Sequence, residues 1–277
     1  MNGSIIGDIV GSVYEFHTIK QKNFKFFKDK CFFTDDTVMT CAVAKASIDY
    51  TDNRSIPLFK LNVINNMVEL GRKYPKAGYG TSFYKWLMSD IHEPYNSFGN
   101  GSAMRTSSVA YIANSLEEAE ELAKAQAEVT HNHPEGIKGA QAIAAAIYLA
   151  RTHEDKETIR EYIENKYYNL DFNIKDIYRK YQYDITCQGS VPYAIKAFLE
   201  GEDFEDSIRN VISLGGDADT LACMTGGIAE AYYGVPEEYM EYKNRYLTEE
   251  LIDIVDSFQT IYQEKTTEKE KKDIFKK

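Results

Sequence analysis

Gly215-Gly216-Asp217-Ala218-Asp219-Thr220 runs directly into a small, mostly apolar stretch from Leu221 to Tyr232, and Thr34-Asp35-Asp36-Thr37 runs likewise into Val38 to Ile48. Both stretches read as helix starts, with a Thr or Asp cap ahead of a segment destined for burial. One Asp at a helix N-terminus is ordinary, because it accepts from free amides and complements the helix dipole. Two clusters, each with two carboxylates and hydroxyls at the head of a buried helix, are harder to explain by capping alone. If they converge, four carboxylates repel unless cations neutralise them. Every obvious donor is an oxygen, with no Cys or His in either tetrad, which favours a hard cation such as Mg²⁺ or Mn²⁺ over Zn²⁺.

Helical periodicity continues outward from these two segments. Ile5, Ile6, Ile9, Val10 and Val13 form one apolar face from Ser4 to Glu15, and Leu58, Leu61, Ile64, Met67, Val68 and Leu70 form another. Ser115-Leu116-Glu117-Glu118 is a capping box leading into Ala119 to Val129. Pro134 suits the first turn of an Ala-rich helix reaching Leu149, smooth enough to be central. Helices follow over Glu157 to Tyr168, Ile174 to Tyr181, Pro192 to Leu199 with Gly201 as its stop, and Phe204 to Leu214. A final helix starts near Thr248 and runs into a charged tail, Lys265 to Lys277, expected to fray. Asn23 to Phe33 is aromatic and lysine-rich without alternation, and reads as an ordered loop with at most one short extended piece. No linker or repeat divides the chain. The expectation is one all-α domain over residues 1–264.

Composition narrows the class. The 277 residues are 43% hydrophobic and 27% charged, as in ordinary folded proteins. A formal net charge of −11, from 43 acidic and 32 basic residues, argues against broad nucleic-acid backbone binding. Cys31, Cys41, Cys187 and Cys223 lack metal-type spacing and read as buried thiols of a reducing compartment. The N-terminus lacks a basic n-region, and Asp8 interrupts its short apolar stretch, so neither a signal peptide nor a membrane span is expected. A cytoplasmic monomer is the expectation.

Three further segments can carry chemistry. Ser97-Phe98-Gly99-Asn100-Gly101-Ser102-Ala103-Met104-Arg105 is a glycine-rich turn entering a helix. Its amides can cradle phosphate, or it can be a plain helix start. Gly78-Tyr79-Gly80-Thr81 also precedes an amphipathic helix (Phe83, Trp86, Leu87). Thr130-His131-Asn132-His133-Pro134 places two histidines before a helix, as loop hydrogen-bonders or as site residues, but not as a zinc pair. Glu15, after Gly11-Ser12-Val13-Tyr14, reads by itself as a solvent-facing glutamate closing the first helix. No nucleophile elbow, Walker loop or dinucleotide fingerprint is present.

In order, Gly7 to Phe16, Phe33 to Thr37, Gly99 to Arg105, Thr130-His131 and Gly215 to Thr220 resemble the motifs of ADP-ribosylglycohydrolases, the enzymes related to dinitrogenase reductase-activating glycohydrolase and the ADP-ribosyl-acceptor hydrolases. The resemblance spans roughly Ile5 to Gly234, and five motifs in order are specific where each alone is weak. It implies a single-domain orthogonal multi-helix bundle and a site for two Mg²⁺ or Mn²⁺. It carries over Thr34, Asp35 and Asp36 as one ligand group and Asp217, Asp219 and Thr220 as the other. It implies that Ser97, Phe98, Gly99, Asn100 and Gly101 hold a diphosphate and its riboses. Gly78, Tyr79 and Gly80 match a second ligand loop, and His131 a histidine near the distal ribose. Phe98 stands where relatives often have Tyr, keeping a stacking face without the hydroxyl.

The implied activity is hydrolysis of the glycosidic bond between ADP-ribose and an acceptor, on a protein or a small molecule. Glu15 is the first candidate for the proton relay, and Asp35 or Asp36 the second. The acceptor linkage is not readable. A non-catalytic ADP-ribose binder related to crystallin-like proteins and a metal-dependent phosphohydrolase of ADP-ribose remain as alternatives.

Overall fold

The structure is a computed structural model that describes the backbone of residues 1–274 and the side chains of residues 1–267. The tail expected to fray, Lys265 to Lys277, lies mostly outside the described side chains.

Among the described residues there are fifteen helices and no strands, in keeping with the all-α expectation; a single bridge pairs Gly99 with Thr186. Helices α1 (Asn2–Gly11), α2 (Asp35–Asn53), α3 (Ile56–Lys73) and α4 (Thr81–Met88) come first. Two short turns, α5 (Gly101–Met104) and α6 (Ser107–Ile112), lead to α7 (Leu116–Glu128), α8 (Pro134–Arg151) and α9 (Lys156–Lys166). After α10 (Ile174–Ile177), α11 (Cys187–Glu200) and α12 (Phe204–Ile212) pack around α13 (Ala218–Tyr233). The chain closes with α14 (Glu237–Asn244) and α15 (Glu249–Ile274). No described helix is long and apolar enough to cross a membrane.

The centre of the fold is the pair α1 and α13, which lie closer than side chains normally allow. Gly3, Gly7 and Gly11 recur every fourth residue on one stripe of α1. A Cβ on Gly7 would sit 2.0 Å from the Ala222 carbonyl oxygen, and one on Gly11 2.5 Å from that of Ala218. Gly226 answers from α13, where a Cβ would meet the Gly3 carbonyl oxygen at 2.1 Å. Small residues on both helices thus let backbone meet backbone. This contact brings the start of α13, with its acidic turn, beside the C-terminal half of α1.

The cap readings hold for α2, α7 and α8, whereas Asp217 stands at the N-cap of α13 without a side-chain capping bond. Thr34 caps α2 through Asp36 N, Ser115 caps α7 through Glu118 N, and Pro134 stands in the first turn of α8. All four cysteines are buried thiols.

Three boundaries differ. The first helix stops at Gly11, so Val13, Tyr14 and Glu15 lie in turns beyond it. Pro192 sits inside α11 and does not start it, because Thr186 accepts from Gly189 N and opens the helix five residues earlier than expected. The helix expected from Ile174 to Tyr181 ends at Ile177; an irregular segment follows to Thr186.

Candidate active site

The loops at the heads of α2, α4, α5 and α13 open on one cavity of about 540 Å³. Its lining includes Glu15, Thr34, Asp35, Asp36, Gly78, Gly80, Ser97, Gly99, Asn100, Gly101, His131, Asp217, Asp219 and Thr220. Two expected site residues point elsewhere. Tyr79 packs on Phe83 with ring centres 5.5 Å apart, and Phe98 lies against His133 at 5.2 Å. In both loops the backbone faces the cavity, while the Tyr79 ring packs on the core and the exposed Phe98 ring lies on His133.

The acids converge as the sequence suggested, with one addition. Oxygens of Asp8, Asp36 and Asp219 lie within 4.8 Å of one another, as do those of Glu15, Asp217 and Asp219. Asp8, an interruption of an apolar stretch and part of the Gly7 to Phe16 motif in sequence, is completely buried. Its Oδ2 accepts from Thr34 N at 2.9 Å, from Thr37 N at 3.1 Å and from the Thr37 hydroxyl. Its Oδ1 accepts from Thr34 Oγ1 at 2.7 Å. Asp8 therefore holds the entry of α2 and takes the Thr34 hydroxyl hydrogen, while Thr34 Oγ1 in turn accepts from Asp36 N at 3.3 Å.

Electrostatics decide what such a cluster needs. Burial, reinforced by neighbouring carboxylates, raises Asp35 to about 8 and pushes Asp36 and Asp219 well above the carboxylate range. Burial also raises Asp8 to about 6 against the pull of its Thr hydrogen bonds, and raises Asp217 and Glu15. Asp36 Oδ1 is buried and has no hydrogen-bond partner, while Oδ2 accepts from the Thr220 hydroxyl at 3.2 Å and lies 3.2 Å from the Thr34 oxygen. A buried orphan oxygen inside an all-oxygen, mutually repelling set fits hard divalent cations. The donors available for them are Thr34, Asp35, Asp36, Asp217, Asp219 and Thr220, with Glu15 at the edge.

The glycine-rich loop is tied into the cluster. Asn100 Nδ2 donates to Asp217 Oδ2 at 2.6 Å, and Asn100 N donates to Ile185 O at 2.8 Å. Gly99 N donates to Ser97 Oγ at 3.2 Å, so the Gly101 amide is the free donor of the three. Behind the loop, buried Arg105 donates to Gln126 Oε1 at 2.7 Å and to Thr130 Oγ1 at 2.9 Å. Thr130 Oγ1 lies 2.7 Å from His131 Nδ1. Among the described residues the Thr130 hydroxyl hydrogen has Nδ1 as its acceptor, and this assignment places the ring proton on Nε2. Burial, with Arg105 adding, lowers the His131 pKa well below its usual value and keeps the imidazole neutral. His131 thus presents an N–H beside Gly99 and Gly101, where a Cβ would lie 3.5 and 3.4 Å from Nε2.

On the opposite wall, Gly78 adopts φ +107° and approaches Asp35, whose Oδ1 would be 3.3 Å from a Cβ. Only glycine takes this backbone without strain. Glu15 is held from across the cavity, since Tyr183 OH donates to its Oε1 at 3.0 Å. Neither Asp8 nor Tyr183 was found from sequence. Asp8 is the one charged residue of the first helix, which is a local signal, whereas Tyr183 carries none.

The chain as a whole is similar to known proteins. The mouse ADP-ribosylhydrolase ARH3 is 26% identical, over 86% of this chain and 85% of that one. The ADP-ribosylarginine hydrolase Tri1 of Pseudomonas putida is 27% identical, over 86% and 71%. A solved ADP-ribosylglycohydrolase-related protein complex has the same fold, with a TM-score of 0.68 at 20% identity over 94% of both chains. The sequence profile of the ADP-ribosylglycohydrolases matches residues 1–269. An all-α chain with two acidic helix heads facing a glycine loop, matched by that profile from its first residue to within eight of its last, belongs to the ADP-ribosylglycohydrolase family.

Proposed function

We propose that this hydrolase cleaves the glycosidic bond between the anomeric carbon of ADP-ribose and an acceptor atom, and that it does so with two hard divalent cations, Mg²⁺ or Mn²⁺. The observation that carries this reading is the meeting of both acidic helix heads with the Asn100 loop on one cavity, linked by the bond from Asn100 to Asp217. Bound cations would supply Lewis-acid charge and offset the repulsion among the carboxylates.

The chain's own groups have distinct work. The Gly101 amide and the Nε2–H of His131 donate to diphosphate and ribose oxygens, placing the reacting bond near the acids. Glycines at positions 78 and 80 let substrate approach the backbone beside Asp35. As the bond to the acceptor breaks, positive charge grows on the ribose ring. The carboxylates of Asp35, Asp36, Asp217 and Asp219 face that charge and stabilise it. Glu15 accepts the proton of the attacking water and relays it to the departing acceptor atom, so the water oxygen ends on the ribose and its hydrogen on the acceptor. Burial and the neighbouring acids raise the Glu15 pKa, which makes it a stronger base than a free glutamate.

The direct test is incubation with arginine- and serine-linked ADP-ribosyl peptides and Mg²⁺, read by mass spectrometry. Free ADP-ribose and an unmodified peptide are expected, and excess EDTA should stop the reaction. AMP with ribose phosphate would show cleavage of the diphosphate and overturn the proposal. Glu15→Gln keeps size and can still accept from Tyr183, but it removes the base. Turnover should fall about 10²- to 10⁴-fold, with the dissociation constant for ADP-ribose within a few-fold of the parent by calorimetry. Near-parental turnover would return Glu15 to a surface glutamate.

A further inference from the structure

The irregular segment between α10 and α11, residues 178–186, spans the mouth of the cavity and is anchored on three sides. Lys20 Nζ donates to the carbonyl oxygens of Tyr178 at 2.7 Å and Tyr181 at 3.1 Å, and also to that of Leu214. Tyr181 OH donates to Gly189 O at 2.8 Å, and its ring lies so close to Gly216 that a Cβ there would be 2.8 Å from Cε1. At the other end, the Ile185 carbonyl accepts from Asn100 N, and Cys187 N donates to Phe98 O at 2.9 Å. The strap thus touches the turn that delivers Asp217 and the loop that carries Asn100. Its middle residue, Tyr183, is 53% exposed and lines the cavity.

Glu15 needs such a support. It follows the end of α1 by four residues, in turns that no helix orders, and its side chain is partly exposed. Its oxygens are nevertheless within 4.8 Å of those of Asp217 and Asp219, where like charges push it outward. Among the described residues, the one hydrogen bond its side chain makes is from Tyr183 OH. Hydrogen bonds to a charged acceptor are the stronger kind, and a misplacement of about 1 Å can cost on the order of 10²-fold in rate.

We infer that Tyr183 is a positioning residue: its phenol holds the Glu15 carboxylate against the acid cluster, and its strap fixes that position relative to the Asn100 loop. This rests on the glycohydrolase reading for its effect on turnover, but its effect on cation binding can be read without substrate. A bare exposed ring at the mouth would act only through its face, so the hydroxyl is the discriminating atom.

The experiment is a double-mutant cycle of Tyr183→Phe and Glu15→Gln. It is read as kcat and KM with an ADP-ribosylated peptide and, separately, as Mn²⁺ affinity by calorimetry without substrate. Tyr183→Phe should lower kcat roughly 10- to 100-fold, leave KM within twofold, and weaken Mn²⁺ binding about three- to tenfold. In the Glu15→Gln background both effects should vanish, since the group being positioned is no longer a carboxylate. Tyr183→Phe behaving as the parent in both assays overturns the inference, and so does an equal loss in both backgrounds. If the parental protein released no ADP-ribose from any substrate, the proposed function would fail, while the Mn²⁺ cycle would still decide the role of Tyr183.

Discussion

Asp219→Ala is expected to lower turnover by more than about 10⁴-fold, equivalent to several kcal/mol of lost transition-state stabilisation, without unfolding the protein. Asp219 is the one residue common to both groups of converging carboxylates. It sits 4% exposed in the first turn of α13, directly over the close contact with α1. Its removal deprives both groups of a donor and withdraws negative charge that faces the developing positive charge on ribose. The structural cost is small, because the bonds lost are local ones, from Thr220 N at 2.9 Å and with the neighbouring Asp217 carboxyl. Burial and the Asp36 carboxylate make the ionised form costly, so the variant should be at least as stable as the parent in EDTA. Three measurements check this: peptide turnover, Mn²⁺ affinity by calorimetry, and melting temperature with and without cation. Turnover within tenfold of the parent would exclude Asp219 from the site. A lower melting temperature in EDTA would mean that the carboxylate serves the fold.

Such a pairing of functional gain with structural cost is also what made the site legible. Two carboxylates at each of two helix heads exceed what capping requires, and that excess is visible in a linear sequence. The glycine loops were visible for the same reason, since Gly78 with its positive φ and Gly99 to Gly101 serve close approach and not regular structure. Local excess says nothing about partners far along the chain. The bonds from Asp8 to Thr34 and Thr37 cross 26 and 29 positions, and the bond from Tyr183 to Glu15 crosses 168. Asp8 looked like an interruption because its reason for being buried lies on another helix.

The misplacements have equally local causes. Val13 extends the apolar period past Gly11, so hydrophobic spacing alone prolongs the first helix through Glu15, while the observed chain turns at Ser12. The shorter helix lets Glu15 reach the head of α13, where its carboxylate lies within 4.8 Å of those of Asp217 and Asp219. Tyr79 and Phe98 were assigned with their loops as whole units, yet in each loop the cavity takes the backbone and the core or His133 takes the ring. The stripe of Gly3, Gly7 and Gly11 was not recognised as an interface, although it sets the separation of α1 and α13 on which the whole acid cluster depends.

The same cluster should make the metal-free protein lose stability as pH rises. Asp8 moves from an ordinary 3.8 to about 6 in the fold, and Asp35 to about 8. Both are raised, so between about pH 4 and pH 8 the native state binds more protons than the unfolded chain. Stability then declines with increasing pH through this window, with the full contribution present only below the unfolded values. At about 1.4 kcal/mol per pKa unit, the buried Asp8 alone represents a loss of roughly 3 kcal/mol by neutral pH. In EDTA the melting temperature should therefore drop by about 5 °C or more between about pH 5 and pH 8. Saturating Mg²⁺ should reverse the slope, because cations bind the ionised carboxylates and protons compete with them. Differential scanning calorimetry at both pH values, with and without Mg²⁺, reads all four states. A metal-free profile that is flat, or that rises with pH, would mean that the acids are satisfied without a cation. The case for a metal site built from Asp8's neighbours would then lose its electrostatic basis.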